Sequence, residues 1–519
     1  MSTKVNGRRW LALGAVLLSA LVLGLDSTIL VTALPTLSAT LGATTDQLQW
    51  MSTAYLLALS GLLIPAGVLG DRLGRRRMML VALVIFGLSS VAASRMTTAN
   101  ELILMRAVMG VSGAFIMPIS LAVLPTIFSE QERPRAIAIG GAGMFLGLPL
   151  GPLVAGWLLT HYEWGSIFLI NAPIVVVALI GVWLFIPESR DSNAPRLDFV
   201  GAVLAIAGVT SLVYGVIEQP RVGWTAPTVA SLICGATLLA GFTTWELRVR
   251  SPLVDLRLFL NPRFSWSIAV SVVMNFGLMG VLFVFTPFLQ LVQGNDAQAT
   301  GIRLLPLIAG IVMGAAVSDR LIRRLGVQGM FALGLVICAA GMALMSLVGA
   351  ESGYGLLLVA LPVIGIGNAL AMFTGFNVIL DVLPESQTAA GTALARTLQQ
   401  VGSLFGVAIM GSVLNSAFRS EIAGRMAGLP AHVIDAAQGS VAGAALVASQ
   451  MPDPIRAALL SAARDAYSTG MSDVLRVSAG LMIVAALLIA TFMRRSAGSA
   501  YDPVHEPSAA WPNAHAQAE

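Results

Sequence analysis

The stretch GDRLGRR, residues 70–76, resembles a later stretch of the chain, SDRLIRR, residues 318–324. Each copy follows a long apolar run and carries one acid and several arginines in a short connection. A second pair of similar segments, 129–151 and 384–406, lies at nearly the same sequence separation. One duplication explains both pairs, so the chain is predicted to fold as two related halves. Repeated halves with a site between them are typical of secondary transporters that alternate access by rocking.

The composition predicts that this chain lies in a membrane. Of its 519 residues 57% are hydrophobic and 11% are charged, whereas a soluble globular protein has about 25% charged residues. Apolar runs of about 20 residues, long enough to cross a hydrocarbon layer of about 30 Å, recur along almost the whole length. The sequence therefore predicts an all-α integral membrane protein with fourteen transmembrane helices. Their expected bounds are about 10–33, 48–69, 78–95, 101–125, 134–159, 164–186, 198–217, 225–247, 264–291, 300–318, 328–348, 354–380, 388–417 and 470–493.

The basic residues predict the orientation of these helices. If the N-terminus is cytoplasmic, 20 of the Lys and Arg residues outside the spans fall on the cytoplasmic side and 8 on the other side. Positive residues favour the cytoplasmic side of a membrane protein. Both tails, 1–9 and 494–519, are therefore expected in the cytoplasm, and the protein in the cytoplasmic (inner) membrane. The second tail lacks periodicity and is expected to be disordered.

The repeat and the spans together predict the domain organisation. Two six-helix bundles, residues 10–186 and 264–493, are separated by two inserted helices and their flanking loops, 187–263. The second bundle includes a long extracytoplasmic loop, 418–470, which is expected to form short amphipathic helices on the outer surface.

Several classes of function are excluded by what the sequence lacks. The only lysine is Lys4, so the chain has no phosphate-binding GxxxxGK[ST] loop for ATP. The four histidines lie outside the spans or at their edges, so histidine is not available as a proton relay in mid-membrane. The sequence predicts no catalytic site, no metal and no cofactor. The net charge of +4 is attributed to orientation rather than to nucleic-acid binding.

Asp26 is the acidic residue that lies deepest in a predicted span. It stands 16 residues after Trp10, about 24 Å along the first span at about 1.5 Å per residue. Arg106 lies about 6 Å below the outer end of the fourth span, so both side chains reach a similar depth. Burial favours a protonated carboxyl group and a neighbouring guanidinium favours the carboxylate, so Asp26 is a candidate to carry a proton or to attract a cationic substrate. The alternative is a static ion pair with a structural role.

The connection GVLGDRLGRRR, residues 67–77, is the candidate for a cytoplasmic gate. Its glycines allow two spans to approach and turn tightly, and its acid can face the start of the third span or the arginines of a neighbouring helix end. The alternative is an ordinary positively charged loop. The candidate gate residues, with counterparts in the second copy, are Gly67, Asp71, Arg72, Gly74, Arg75, Arg76, Asp319 and Arg320.

The fifth predicted span contains GLPLGPLVAG, residues 147–156. Gly147, Gly151 and Gly156 form a stripe of small residues that allows another helix to pack closely, and Pro152 permits a bend. By itself this pattern indicates helix packing.

A further set of aromatic and polar residues in the spans consists of candidates to line a substrate cavity. They are Tyr55, Asn275, Phe283, Phe376, Asn377 and Arg396. Arg396 lies about two turns from the cytoplasmic end of the thirteenth span, where it either lines the inner cavity or reaches the lipid headgroups.

These segments resemble the motifs of the major facilitator superfamily, in its fourteen-span drug:proton antiporter branch, over residues 10–493. LDSTILVTALP is similar to the branch's first-span motif, GVLGDRLGRRR to the superfamily's loop motif and LILMRAVMGVSGA to the fourth-span motif. GLPLGPLVAG is similar to the fifth-span antiporter motif, although the usual final Gly-Gly pair is here Ala155–Gly156. The motif residues fall on Asp26, Gly67, Asp71, Arg72, Gly74, Arg75, Arg76, Arg106, Gly110, Gly113, Gly147, Gly151, Pro152 and Gly156.

The resemblance implies export of amphipathic, often cationic, drugs or antibiotics in exchange for protons. It implies Asp26 as a proton or cation site, Arg106 as its coupling partner and the fifth-span motif as a packing hinge. The implied partners are small amphipathic substrates, protons and the lipid bilayer, and the sequence identifies no auxiliary export protein. Two alternatives stay open: a dedicated exporter of one self-made antibiotic, metabolite or lipid, and a proton-coupled nutrient importer. The importer is disfavoured because polar residues in mid-span are few.

Overall fold

The computed structural model describes residues 2–129, 132, 136, 147, 150–191, 198–249, 252–383, 385–425, 437–438, 440–449 and 451–493. Within these ranges the regular structure is helical and no β-strand occurs. An all-helical fold suits a hydrocarbon environment, because each helix satisfies its backbone hydrogen bonds internally.

The α-helices follow one another along the chain with short connections. They are α1 (Ser2–Leu41), α2 (Thr45–Leu73), α3 (Arg75–Ala93), α4 (Ala99–Ile127), α5 (150–161), α6 (Ser166–Leu169), α7 (Asn171–Phe185), α8 (Phe199–Val222), α9 (Ala226–Glu246), α10 (Pro262–Pro287), α11 (Ala297–Arg303), α12 (Leu305–Met345), α13 (Tyr354–Val382), α14 (Glu385–Arg425), α15 (Val441–Ser449) and α16 (Asp453–Leu488). Short π-helices extend α10 over Phe288–Val292 and α16 over Ile489–Met493, and a 3₁₀ helix covers Leu256–Leu260.

Polar residues at the connections begin several of these helices. Thr98 Oγ1 accepts from the Glu101 amide while Glu101 Oε2 accepts from the Thr98 amide, which is a capping box at the start of α4. Asp198 accepts from the Gly201 amide at the start of α8, and Asn261 accepts from amides in the first turn of α10. These caps set where the spans start.

Twelve helical segments of the described chain are long and apolar enough to cross a membrane. One of them, Ala297–Met345, contains two helices joined across a kink at Gly326, where the backbone is not helical (φ 68°, ψ 174°). The predicted fifth span, 134–159, lies mostly outside the described residues and is represented by α5. The structure is therefore compatible with the fourteen predicted spans.

The two copies of the repeated connection break their helices at different points. In the first copy α2 ends at Leu73, and Gly74 (φ 114°, ψ 118°) separates it from α3. A positive φ is strained for a residue that has a side chain, so this break needs glycine. In the second copy the corresponding position is Ile322, and the helix continues for one more turn, until Gly326.

The helices pack in two groups. In the first group α1, α2, α3, α4 and α7 contact one another, and in the second group α10, α12, α13, α14 and α16 do so. Helices α8 and α9 pack on each other, and α8 also contacts α2 of the first group and α14 of the second. This arrangement agrees with two halves and two inserted helices, whereas the residue bounds of the domains stay a prediction.

The segment predicted as a long loop, 418–470, differs from expectation. Helix α14 continues to Arg425, α15 covers Val441–Ser449, and α16 begins at Asp453, so the last span is the end of a longer helix. The alanine-rich sequence after MPDP favours continuation of a helix, because alanine has the highest helix propensity. The predicted disordered tail, 494–519, lies outside the described residues.

Candidate functional site

Asp26 on α1 and Arg106 on α4 form a buried ion pair. Arg106 Nη1 stands 2.6 Å from Asp26 Oδ2, and the side chains of Asp26 and Arg106 are 0% and 2% exposed. A charge-assisted contact of this length is strong, whereas either charge left alone at such a site would cost several kcal/mol. The two residues placed at similar depth by the sequence are thus in direct contact.

An amide holds the second carboxylate oxygen of Asp26. Asn171, the first residue of α7, donates from Nδ2 to Asp26 Oδ1 over 3.2 Å and to Ser90 Oγ on α3 over 3.0 Å. Ser90 donates in turn to the carbonyl oxygen of Phe168 over 2.9 Å. Helices α1, α3, α4 and α7 therefore converge on one carboxylate.

Two contacts with α2 hold Arg106 in place. Its Nε donates to the carbonyl oxygen of Met51 over 3.2 Å, and its Cζ lies 4.3 Å from the centroid of the Tyr55 ring. A guanidinium over a desolvated aromatic face is stabilised by about 2 kcal/mol. Tyr55, a predicted cavity residue, is 2% exposed and packs on the pair instead of facing an open cavity in this conformation.

Gly110 allows α4 to approach α2 at the level of the pair. An added Cβ at Gly110, one turn after Arg106, would lie 3.0 Å from the carbonyl carbon of Tyr55 and 2.9 Å from Ala58 Cβ. Small residues let membrane helices come this close. Gly110 therefore sets the separation across which Arg106 reaches Met51 and Tyr55.

The predicted glycine stripe of the fifth span packs on α1. A Cβ added to Gly147 would stand 2.5 Å from the Leu25 nitrogen, and one added to Gly151 would stand 3.0 Å from the Ile29 nitrogen. These are the turns of α1 on either side of Asp26. The stripe therefore fixes the segment that carries the carboxylate.

The far end of the same stripe contacts the second group of helices. A Cβ added to Gly156 would stand 2.6 Å from the carbonyl oxygen of Ala297, and one added to Gly301 would stand 2.8 Å from the carbonyl carbon of Pro152. Helix α5 thus touches both the Asp26 segment and α11.

The first copy of the repeated connection forms a bonded corner within the first group. Asp71 Oδ1 accepts from Arg75 Nε over 2.7 Å, across the break at Gly74. The Asp191 amide donates to the Asp71 carbonyl oxygen over 2.9 Å, and the Arg75 amide donates to the Ser189 carbonyl oxygen over 3.0 Å. Asp71, an acid of the predicted gate, therefore pairs with the start of α3, one of the two partners predicted for it.

Glu188, which follows α7, caps the start of α3. Its two carboxylate oxygens accept from the amides of Arg76 and Arg77, each over 3.2 Å. Arg76 also donates from its side chain to the Trp183 carbonyl oxygen over 2.5 Å. A carboxylate at a helix N-terminus is stabilised by the helix dipole, so Glu188 ties the gate motif to the segment that leads into the inserted helices.

The remaining predicted gate residues have looser surroundings. A Cβ added to Gly67 would lie 3.6 Å from Pro118 Cβ, which is ordinary contact, and Arg72 is exposed. The side chains of Asp319 and Arg320 in the second copy are exposed and form no ion pair with any described residue. The two copies of the motif therefore differ in their bonding.

The predicted cavity residues of the second group lie on α10, α13 and α14. Arg396 is partly buried, with its Cζ 5.8 Å from the Phe376 ring centroid, and it donates to Gln399 Oε1 over 3.3 Å. Asn275 donates to the Ser271 carbonyl oxygen over 3.0 Å. Asn377 is exposed, and Phe283 is 3% exposed.

The two groups are hydrogen-bonded to each other near the face opposite the N-terminus, here called the distal face. Gln49 Nε2 donates to the Ala408 carbonyl oxygen over 3.2 Å and to Ser412 Oγ over 3.4 Å, and Gln290 Nε2 donates to the Thr32 carbonyl oxygen over 2.7 Å. Residues 38 and 440 also pair there through serine hydroxyls, 3.1 Å apart. These hydrogen bonds hold the two groups together on that side.

Four residues that form these contacts were not predicted by the sequence analysis. Asn171 is an uncharged residue inside a predicted span, Ser90 is a small hydroxyl of a kind that usually bonds its own helix, and Glu188 lies outside the spans. Gln49 stands two residues into the second predicted span. A search for uncharged polar residues at the depth of Asp26 would have found Asn171 and Ser90.

The comparison with known families matches the model described as Major Facilitator Superfamily over residues 16–407. The chain is 31% identical to the multidrug efflux pump LfrA of Mycolicibacterium smegmatis, covering 95% of this chain and 98% of that protein. It is also 31% identical to the tetracenomycin C resistance and export protein of Streptomyces glaucescens, covering 95% and 93%. The methyl viologen resistance protein SmvA of Salmonella typhimurium is 31% identical, covering 92% and 96%.

Solved structures agree on the fold. A bacterial homologue of the human lysosomal transporter Spinster, inward-facing and occupied, has a TM-score of 0.68 at 16% identity and covers 95% of this chain and 98% of its own. A D-xylose–proton symporter has a TM-score of 0.62 at 13% identity, with coverage of 95% and 99%. The chain is a multi-pass membrane transporter of the major facilitator superfamily.

Proposed function

We propose that this transporter exports amphipathic, often cationic, drugs or antibiotics across the cytoplasmic membrane in exchange for protons. The observation that carries the proposal is the enclosed Asp26–Arg106 pair with its Asn171 hydrogen bond. A carboxylate inside the membrane region of a transporter is by default a functional group, because a purely structural ion pair brings little stability there.

Exchange follows from competition for one carboxylate. A proton that reaches Asp26 neutralises it and weakens its contact with Arg106, which then needs another partner. Loss of the proton restores the pair. If the protein binds a cationic substrate more tightly after Asp26 has lost its proton, the protein binds either the proton or the substrate at one time. The proton gradient then drives transport of the substrate in the opposite direction.

In alternating access, the site opens to one side of the membrane at a time. With both termini in the cytoplasm, as the arginine distribution predicts, the distal face is the outer face. The hydrogen bonds of Gln49 and Gln290 then close the outer side, which corresponds to an inward-facing conformation. Export requires these bonds to break, with α5 as the element on which the groups rock, since it contacts both α1 and α11.

The cargo class rests on the relatives. Their names describe a multidrug efflux pump, a methyl viologen resistance protein and a tetracenomycin C export protein. The last of these supports the second candidate function, a dedicated exporter of one self-made antibiotic. A panel of structurally unrelated substrates separates the two, because a dedicated exporter moves one of them and a multidrug pump several.

The proposal is tested in everted membrane vesicles that acidify their lumen. Uptake of ethidium is followed by fluorescence for the parent, for Asp26→Asn and for the exposed-acid control Glu351→Gln. We expect nigericin-sensitive uptake in the parent and the control, and loss of that uptake in Asp26→Asn. If uptake in the parent persists unchanged after the pH gradient is collapsed, proton-driven export is wrong.

A further inference from the structure

A cleft of about 580 Å³ opens at the distal face, between the starts of α2 and α4 and the end of α8. The residues that matter for its chemistry are Asp46, Trp50, Asn100, Ile103, Glu218 and Arg221. The volume falls in the range of about 300–1,000 Å³ that holds small organic ligands. The Asp26–Arg106 pair is not among the lining residues, so this cleft is a separate feature.

The cleft carries one uncompensated negative charge. Arg221 donates from Nε and Nη2 to Glu218 Oε2, over 2.9 and 2.6 Å, and its charge also interacts with that of Asp46, so the three groups together leave a net charge of −1. Asp46 is 7% exposed, and its Oδ1 is buried without a hydrogen-bond partner among the described residues. A charge that is shielded from water attracts an opposite charge more strongly than a solvent-exposed charge does at the same distance. A cation in the cleft would therefore be attracted by the net negative charge, with Asp46 Oδ1 as the acceptor that has no hydrogen bond among the described residues.

The walls of the cleft select an organic cation. Trp50 lies on the cleft, with its ring centroid 6.4 Å from that of Tyr214 on α8, and Ile103 adds apolar surface. Aromatic faces attract cations and stack on aromatic ligands. A Ca²⁺ ion would need six or more oxygen ligands, and the cleft offers two carboxylates, of which Glu218 is hydrogen-bonded to Arg221. An anion would meet Asp46 and find Arg221 already engaged.

We propose that this cleft binds an amphipathic organic monocation that carries aromatic groups. Asp46 supplies the attraction, Trp50 supplies the apolar contact, and the Glu218–Arg221 pair closes the third side. The site goes beyond the proposed transport path, since its lining comes from the inserted helix α8 and from the starts of α2 and α4. Binding needs no proton gradient.

The test uses a cysteine reporter in purified protein in nanodiscs, without a gradient. The exposed Cys234 is replaced by serine, whereas Cys338 is kept because it is buried. The substitution Asn100→Cys places the reporter cysteine on the cleft. The rate of modification by N-ethylmaleimide is measured with tetraphenylphosphonium and with tetraphenylborate, which has the same shape and the opposite charge. We expect the phosphonium to slow modification at least about fivefold and the borate to have no effect, because the cleft favours cations over anions.

Two substitutions assign the effect to the cleft. Asp46→Asn is expected to raise the half-protecting phosphonium concentration about tenfold, which is the loss of roughly 1.4 kcal/mol of charge attraction. Trp50→Leu is expected to raise it severalfold, and the exposed-acid control Glu163→Gln to leave it unchanged. The proposal is overturned if phosphonium gives no protection, if the borate protects equally, or if both Asp46→Asn and Trp50→Leu behave like the control. These outcomes are independent of whether the protein exports dye.

Discussion

The approach of α4 to α2 at Gly110 should be sensitive to a single methyl group. In Gly110→Ala the new Cβ would lie 2.9 Å from Ala58 Cβ and 3.0 Å from the Tyr55 carbonyl carbon, and it would overlap the Tyr55 carbonyl oxygen. These are backbone and Cβ atoms that have no rotamer to change, so the helices must separate. Overpacking of this kind costs about 1–3 kcal/mol, and better helix propensity returns up to about 1 kcal/mol. We expect a net destabilisation of roughly 1–2 kcal/mol.

The measurement is thermal unfolding of the purified protein in detergent, with two glycine-to-alanine controls. A Cβ on Gly67 would make ordinary contact with Pro118 at 3.6 Å, and one on Gly241 would meet nothing within 4 Å. Both controls are expected to match or exceed the parent's midpoint, whereas Gly110→Ala should unfold at a clearly lower temperature. A Gly110→Ala midpoint equal to that of Gly241→Ala would refute the close approach of these helices.

Three further predictions concern the pair, the distal face and the gate corner. Arg106→Lys keeps the positive charge but removes the guanidinium group that contacts Asp26, Met51 and Tyr55. Gradient-driven ethidium uptake should therefore fall at least about tenfold (~1.4 kcal/mol). The control Arg95→Lys should leave this uptake unchanged. Gln49→Leu removes the hydrogen bonds to Ala408 and Ser412. A cysteine introduced at the buried position Ser52 should therefore react with maleimide severalfold faster than it does when Gln49 is present. An unchanged rate would contradict closure through Gln49. Glu188→Gln removes a charged cap from the start of α3 and should lower the unfolding free energy by about 0.3–1 kcal/mol, seen as a lower thermal midpoint than that of Glu163→Gln.

The sequence predicted the architecture because its signals are local and repeated. Apolar runs of membrane-crossing length and a duplicated arginine-rich connection are visible without any tertiary contact. The pairing of Asp26 with Arg106 could also be predicted, since a straight helix advances a fixed distance per residue and so converts sequence position into depth. The Asn171 amide that completes the site was missed because only charged residues were compared for depth.

Contacts that depend on the approach of distant segments were beyond the sequence. Glu188 meets the amides of Arg76 and Arg77 only because the chain returns beside the first connection after four more spans. The long start of α16 was missed for another reason: hydropathy marks the part of a helix that lies in lipid, and α16 begins at Asp453, before its apolar part. The charge balance of the distal cleft required knowing that Arg221 is bonded to Glu218 and not to Asp46.

The most direct measurement of the central claim is proton release on substrate binding. Purified protein in weakly buffered detergent solution is mixed with the exported dye, and the pH change is recorded for the parent, for Asp26→Asn and for Glu351→Gln. If Asp26 exchanges a proton for the cation, the parent and Glu351→Gln release protons on binding and Asp26→Asn releases none while remaining folded. Release by Asp26→Asn equal to that of the parent would contradict the assignment of Asp26 as the proton site.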